Sequence, residues 1–158
     1  MALKITQAFD GKVPFFTLVG EINEETNILE PLVVSGVPEI RINCKGVRRI
    51  NSIGVKTWVQ LFSNLRNKGV ELKFVECSPA LVQQANLFPN FLMGRELVSF
   101  YGPFLCSDCD KESEYLFTPS EISLKGYRVT DQKCAFCGGK AEFDDVPEDY
   151  FHFLNRNA

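Results

Sequence analysis

Four of the six cysteines fall in two Cys-x2-Cys pairs, Cys106/Cys109 and Cys134/Cys137, with 24 residues between them. Two residues of spacing let a tight turn aim both thiols at one point. Two such turns brought together offer four soft sulfur donors in a tetrahedron. The second pair continues Cys137-Gly138-Gly139-Lys140. Glycine there lets backbone N–H groups fold toward the sulfurs and screen thiolate charge. Four ligands close the coordination sphere, so the expected role is structural, with zinc as the ion. The spacing alone does not separate zinc from iron. The competing chemistry is a redox-active dithiol or a pair of disulfides, but no thioredoxin-like pattern surrounds either pair. Cys44 and Cys77 stand apart at strand ends and read as small buried hydrophobes.

A chain of 158 residues, 45% hydrophobic with 14 phenylalanines, has material for one domain plus a metal-stapled module. Its charge is uneven. Residues 1–101 carry 11 Lys/Arg against 9 Asp/Glu, and residues 102–158 carry 6 against 11. A tetrathiolate zinc site adds about −2 to the second half. That balance opposes a grip on nucleic-acid phosphates. No stretch approaches the roughly 20 apolar residues of a membrane span. Met1 to Ile5 lacks a secretory apolar region. The expected location is the cytoplasm, where paired cysteines are more often ligands than disulfides.

The first hundred residues alternate between strand and helix patterns. Residues 3–9 read as a strand, Asp10-Gly11 as a hairpin turn and 13–19 as its partner. A weaker helix is expected over 24–33, cut short by Pro31. Residues 39–44 alternate as a half-buried strand. Residues 53–68 form the clearest helix, with Val55, Trp58, Val59, Phe62 and Leu65 on one face and Gly69 at its end. A strand follows over 71–76. Ser78-Pro79 then opens a helix to about Leu87, and 97–101 reads as a last strand. This order predicts an α/β fold with a mixed sheet and helices mainly on one face. Arg41, Asn43, Glu71 and Lys73 belong on the other face.

Gly102-Pro103-Phe104-Leu105 is the only linker before Cys106. It divides a sheet domain (1–101) from a metal module (102–158). Being short and apolar, it predicts docking rather than a flexible tether. Between the cysteine pairs, 113–118 and 125–130 are strand-like. Strands between two such turns resemble a zinc ribbon with rubredoxin-like knuckles, over roughly residues 104–145. A C-terminal helix starts at Pro147 with Glu148 and Asp149 in its first turn. His152, the only histidine, sits in it beside Phe151 and Phe153 and reads as a packing or surface residue. One histidine also removes most triad chemistry.

Gly20-Glu21-Ile22-Asn23, Ile40 to Cys44, Gly46-Val47 and above all Ile50-Asn51-Ser52-Ile53-Gly54 resemble, in order and spacing, the motifs of STAS domains, the fold of anti-sigma-factor antagonists. The resemblance covers about residues 5–100. Asn51 stands where the family has aspartate, Ile53 where it has a hydroxyl residue, and Asn23 replaces a further aspartate. The resemblance implies a partner-switching protein. A serine kinase that is also an anti-sigma factor would phosphorylate the position matching Ser52, and about −2 charge at the start of a helix would block binding. The plainer role of Ser52 is an N-cap worth about 1 kcal/mol. Arg48, Arg49, Asn51 and Gly54 are the other candidates for the partner surface. Arg48 and Arg49 would attract an acidic partner or steady a phosphate at Ser52, or form a solvated loop.

Three functions follow. The leading one is a non-enzymatic regulatory, protein-binding module with a docked zinc ribbon. The second associates the ribbon with nucleic acid or transcription machinery, against the acidic charge. The third is an enzyme or a nucleotide-binding STAS domain. No Gly-x-Gly-x-x-Gly or Gly-x4-Gly-Lys-(Ser/Thr) loop is present. The paired Asp144-Asp145 reads as solvated.

Overall fold

The computed structural model describes residues 2–26 and 36–156. The helix expected over 24–33 lies largely outside these residues; its described part, 24–26, is a turn.

Alternating side chains build the first sheet. β1 (Lys4–Asp10) and β2 (Val13–Ile22) form an antiparallel hairpin around Gly11, which turns at φ 65°. β3 (Glu39–Ile50) lies parallel to β2, and β4 (Glu71–Val75) parallel to β3, giving a mixed sheet of order β1-β2-β3-β4. β2 and β3 run several residues past their expected ends. Gly46 permits this: a Cβ there would stand 2.7 Å from Val19 Cγ2 and 2.9 Å from the Leu18 carbonyl oxygen. The β2–β3 register shifts beside it, between Thr17 and Val19.

One face of the sheet is apolar, with Phe16, Leu18, Ile40, Ile42, Leu72 and Phe74 buried. It packs against the apolar stripes of α1 (Ser52–Asn67) and α2 (Pro79–Leu87). Trp58 fills the centre, stacked on Phe74 and Phe91, and its indole N–H donates to the Phe91 carbonyl at 3.0 Å. Gly69 takes φ 81° just after α1, as a helix end requires. The other face carries the expected polar set. Arg41 pairs with Glu39 at 2.9 Å and Lys73 with Glu71 at 3.1 Å.

The chain then changes sheets. A short 3-10 turn (Gly94–Glu96) leads into backbone that bridges the β4 side in parallel, with Val98 N–H donating to the Phe74 carbonyl at 2.8 Å. Strand β5 (Phe100–Cys106) continues into a second, antiparallel sheet of order β6-β5-β8-β7, with β6 (Glu112–Phe117), β7 (Gln132–Lys133) and β8 (Lys140–Phe143). The linker expected at 102–105 is therefore the middle of a strand, and the division at 101/102 falls inside it. Gly102 lies under the rings of Phe117 and Phe143, and a Cβ there would meet them at 2.7 and 2.9 Å. The strand expected at 97–101 starts later and runs on to Cys106.

The gap between the cysteine pairs differs from expectation too. Thr118 opens a helix, α3 (Pro119–Leu124), through a capping box with Glu121. Residues 125–130 form no strand, because Gly126 and Tyr127 both take positive φ, 63° and 64°, and reverse the chain. The C-terminal helix is broken at Phe151 into α4 (Pro147–Tyr150) and α5 (His152–Arg156). Tyr150, Phe151 and Phe153 are buried while His152 is exposed.

The two sheets share one apolar core. Phe100, Phe104, Phe117, Phe143, Phe151 and Phe153 interlock, mostly edge to face. Asn86 of α2 clips the C-terminal helices: its amide donates to the Tyr150 carbonyl at 2.9 Å and accepts from Phe153 N–H at 2.8 Å. Tyr150 hydroxyl reaches back to the Tyr101 carbonyl. The second sheet and the C-terminal helices are thus packed onto the first sheet and α2.

Candidate functional site

The cysteine turns are built alike. Cys106 ends β5, and its carbonyl accepts from Asp110 N–H at 2.9 Å. Cys134 follows β7, and its carbonyl accepts from Gly138 N–H at 3.0 Å. Both donors take positive φ, 57° for Asp110 and 77° for Gly138. Each turn thus presents two thiols inward. Gly139 N–H points at Cys137 Sγ and Phe136 N–H at Cys134 Sγ, both at 3.4 Å, so backbone donors do converge on the sulfurs. The Asp108 carboxylate leans across from the first turn to the second and accepts from Lys140 N–H at 3.4 Å. A Cβ at 139 would stand 2.0 Å from Asp108 Oδ2, so a larger residue there would displace that carboxylate from its bridge.

All four sulfurs lie within 4.8 Å of one another, with Cys106–Cys137 at 3.5 Å and Cys109–Cys134 at 3.7 Å. Sulfurs about 2.3 Å from one tetrahedral ion would stand about 3.8 Å apart. A disulfide needs about 2.05 Å, and all six cysteines are free. The four thiols can therefore hold one metal ion and are not disulfides. The N–H groups of Cys137 and Phe136 pull Cys134 down to about 6, whereas at Cys137 the Gly139 N–H is outweighed by the crowding thiols, Cys106 first, which push it up to about 12; four thiols this close share their protons unequally until a cation replaces them. Cys44 and Cys77 lie far from this set in sequence and are fully buried. Burial pushes the Cys44 thiol well up, as befits a hydrophobe.

The second candidate site is the N-terminus of α1. Asn51, not Ser52, is the N-cap. Its Oδ1 accepts from Gly54 N–H at 2.8 Å, and its Nδ2 donates to the Glu24 carboxylate at 2.7 Å. The capping role expected of Ser52 therefore belongs to its neighbour, and Ser52 occupies the first helical position with an exposed side chain. Glu24 also supplies a carboxylate beside the position where the motif has lost one. A hydrogen bond to its own backbone and the Asn51 amide hold its carboxyl below the ordinary value.

Arg48 and Arg49 are exposed on the end of β3, and with Asn23, Asn51 and Gln84 they line an open groove of about 460 Å³. Ile53, next to Ser52, is 51% exposed. Gly54 is placed differently from the other surface candidates. It is buried against the Ile22 carbonyl, which a Cβ would strike, so it lets α1 start close to β2. Glu24 and Asp108 were not foreseen as site residues. Their roles rest on contacts across 27 and 32 positions of chain, which no local pattern announces.

A mixed sheet with helices on one face, and a helix that begins at Asn-Ser after the third strand, defines a domain of the STAS class. The STAS domain family model matches residues 9–95, more than half of the chain, and the chain belongs to that family. No curated protein matches it. The four-cysteine cluster lies beyond the matched region and is consistent with a zinc ribbon. Among the described residues no helix is long and apolar enough to cross a membrane.

Proposed function

We propose that this STAS-family regulatory module is a cytoplasmic, non-enzymatic partner-switching protein of the anti-sigma-factor-antagonist kind. Its contact surface is the N-terminal end of α1 with Arg48, Arg49 and Ile53, and its switch is Ser52. The observation that carries this reading is the division of labour at residues 51 and 52. Asn51 satisfies the helix, so the Ser52 hydroxyl is free for modification at an exposed first helical position. A phosphate there would gain from the helix dipole and from two nearby guanidinium groups. Added charge beside exposed Ile53 would repel an acidic or apolar partner face. The partner this surface suits is a protein, a serine kinase that is also an anti-sigma factor being the case the family offers.

In the same reading zinc fills the Cys106, Cys109, Cys134 and Cys137 site. It makes residues 102–158 a ribbon that stabilises the STAS unit of residues 1–101. The Asp108 carboxylate and three net negative charges on the chain speak against a nucleic-acid role for the ribbon.

The test compares Ser52→Ala with Ser52→Asp as baits in lysate of the native cell. Intact-mass measurement of the wild-type protein runs alongside. The expected result is a phosphorylated fraction absent from Ser52→Ala, and a kinase held by Ser52→Ala but not by Ser52→Asp. Equal capture by both baits, with no added mass under any growth condition, overturns the switch.

A further inference from the structure

A cleft of about 510 Å³ opens where α2 meets the second sheet. Its walls come from both modules. From the first part of the chain come Arg48, Ser78 and Ala80; from β6 come Glu112, Ser113 and Glu114, and from just after β8 comes Asp144. Its volume lies within the range of small-molecule sites, about 300–1,000 Å³.

Two hydroxyls in this cleft lack what buried hydroxyls have. Ser78 is 4% exposed, and its Oγ has no hydrogen-bond partner. Ser113, a half-buried residue of β6 in the same lining, also has an enclosed Oγ without a partner. Ser78 sits at the N-cap of the nine-residue helix α2, where serine ordinarily caps with its side chain. Here only its backbone carbonyl is used, accepting from Leu81 and Val82 N–H at 3.1 Å. A hydroxyl at an N-cap that forgoes the cap keeps its donor for something else. An unmet buried hydroxyl costs about 1–3 kcal/mol, so a partner there is favoured. Ala80 N–H, in the first turn of α2, precedes the first intrahelical bonds and adds a donor.

The charges select the ligand. The helix N-terminus, the serine donors and Arg48 suit an anion. The three carboxylates suit a cation. They outnumber the single guanidinium, and Arg48 is already 3.8 Å from Glu114. A dianion such as phosphate would meet net repulsion, and a simple amine would leave the helix donors unused. We propose that the cleft binds a small zwitterion of the free amino acid class. Its carboxylate lies against Ser78, Ala80 N–H and Arg48, and its ammonium group faces Glu112, Glu114 and Asp144. The site exists only when the two modules are packed together, which makes the ligand a clamp on their interface. It shares Arg48 with the surface proposed around Ser52 but needs no modification of that serine.

The test uses the full-length metal-loaded chain. Melting shifts and titration calorimetry are run with the twenty common free amino acids, β-alanine and γ-aminobutyrate. N-acetylated and decarboxylated counterparts and inorganic phosphate are the comparisons. The expected result is saturable binding of one or a few free amino acids, with both altered forms and phosphate at least tenfold weaker. Ser78→Ala should leave the melting temperature of the free protein unchanged or higher, since it removes an unmet hydroxyl, yet weaken the bound amino acid about tenfold. Binding of no panel member overturns the proposal. So does binding of the N-acetylated form or phosphate as tight as the free amino acid, or undiminished binding to Ser78→Ala.

Discussion

Asn51 and Ser52 show how much one position matters. Both are strong N-cap residues, and a one-residue difference in the helix start decides which caps and which is free. The sequence placed the helix to within a residue but assigned the cap to Ser52. The competing choice was settled by Glu24, which binds the Asn51 amide from 27 residues away and fixes its Oδ1 toward Gly54. Nothing local encodes that contact. Asn51→Ala should therefore cost about 1 kcal/mol, the ordinary cost of a lost cap, while Ser52→Ala should cost nearly nothing. Urea unfolding of the two variants checks this. Equal losses, or a larger one at Ser52, would return the capping role to the serine. Gly54 belongs to the same lesson. Its place in the motif suggested a contact surface, but its lack of a side chain serves close approach to the Ile22 carbonyl.

At the scale of elements, periodicity was legible and its interruptions were not. The hairpin, the strand at 39, the long amphipathic helix and Ser78-Pro79 all lie where alternation and helix signals put them. Gly102-Pro103, by contrast, reads as a loop anywhere. It survives inside β5 because Pro103 precedes the pairing with β8, which starts at Phe104, and uses only its carbonyl, accepting from Asp144 N–H at 2.9 Å. Thr118-Pro119-Ser120-Glu121 carries a capping-box signature, but the strand pattern just before it and the strand expected after it hid the short helix. The junction from β4 to β5 holds a further device. Glu76, at φ 52°, accepts from Tyr101 hydroxyl at 2.6 Å and from the Asn43 amide at 2.7 Å. The Tyr101 hydroxyl, then the Asn43 amide and Lys45, hold its carboxyl below the ordinary carboxylate value. A carboxyl lowered by folding adds stability that is full above its unfolded value, near 4.3, and is lost as pH falls through the folded value. Tyr101→Phe removes the main donor. Its deficit in urea midpoint against wild type should be clear at pH 7 and shrink below about pH 4. A deficit constant across that range would mean the tyrosine acts through packing alone.

For the whole molecule the question is whether the two modules stand or fall together. Four thiols 3.5–4.8 Å apart have no reason to converge without an ion, since their shared protons give little cohesion. Metal binding at such a site is coupled to folding. Phe100, Phe117, Phe151 and Phe153 join the second sheet to α2 and the end of β4, so loss of the knuckles should loosen one continuous core rather than a hanging appendix. Purified protein is expected to hold close to one zinc per chain by elemental analysis. Stripping it with a strong chelator at neutral pH should lower the melting temperature of the whole chain. Trp58, at the centre of the first core, reports that melt by fluorescence although it is remote from the cysteines in sequence. Cys134→Ser should reproduce the loss, by several kcal/mol, and adding zinc should restore the stripped wild type but not the variant. If the Trp58 transition stays in place while far-ultraviolet signal from the ribbon is lost, the modules fold independently, and the shared aromatic core contributes less than its packing implies.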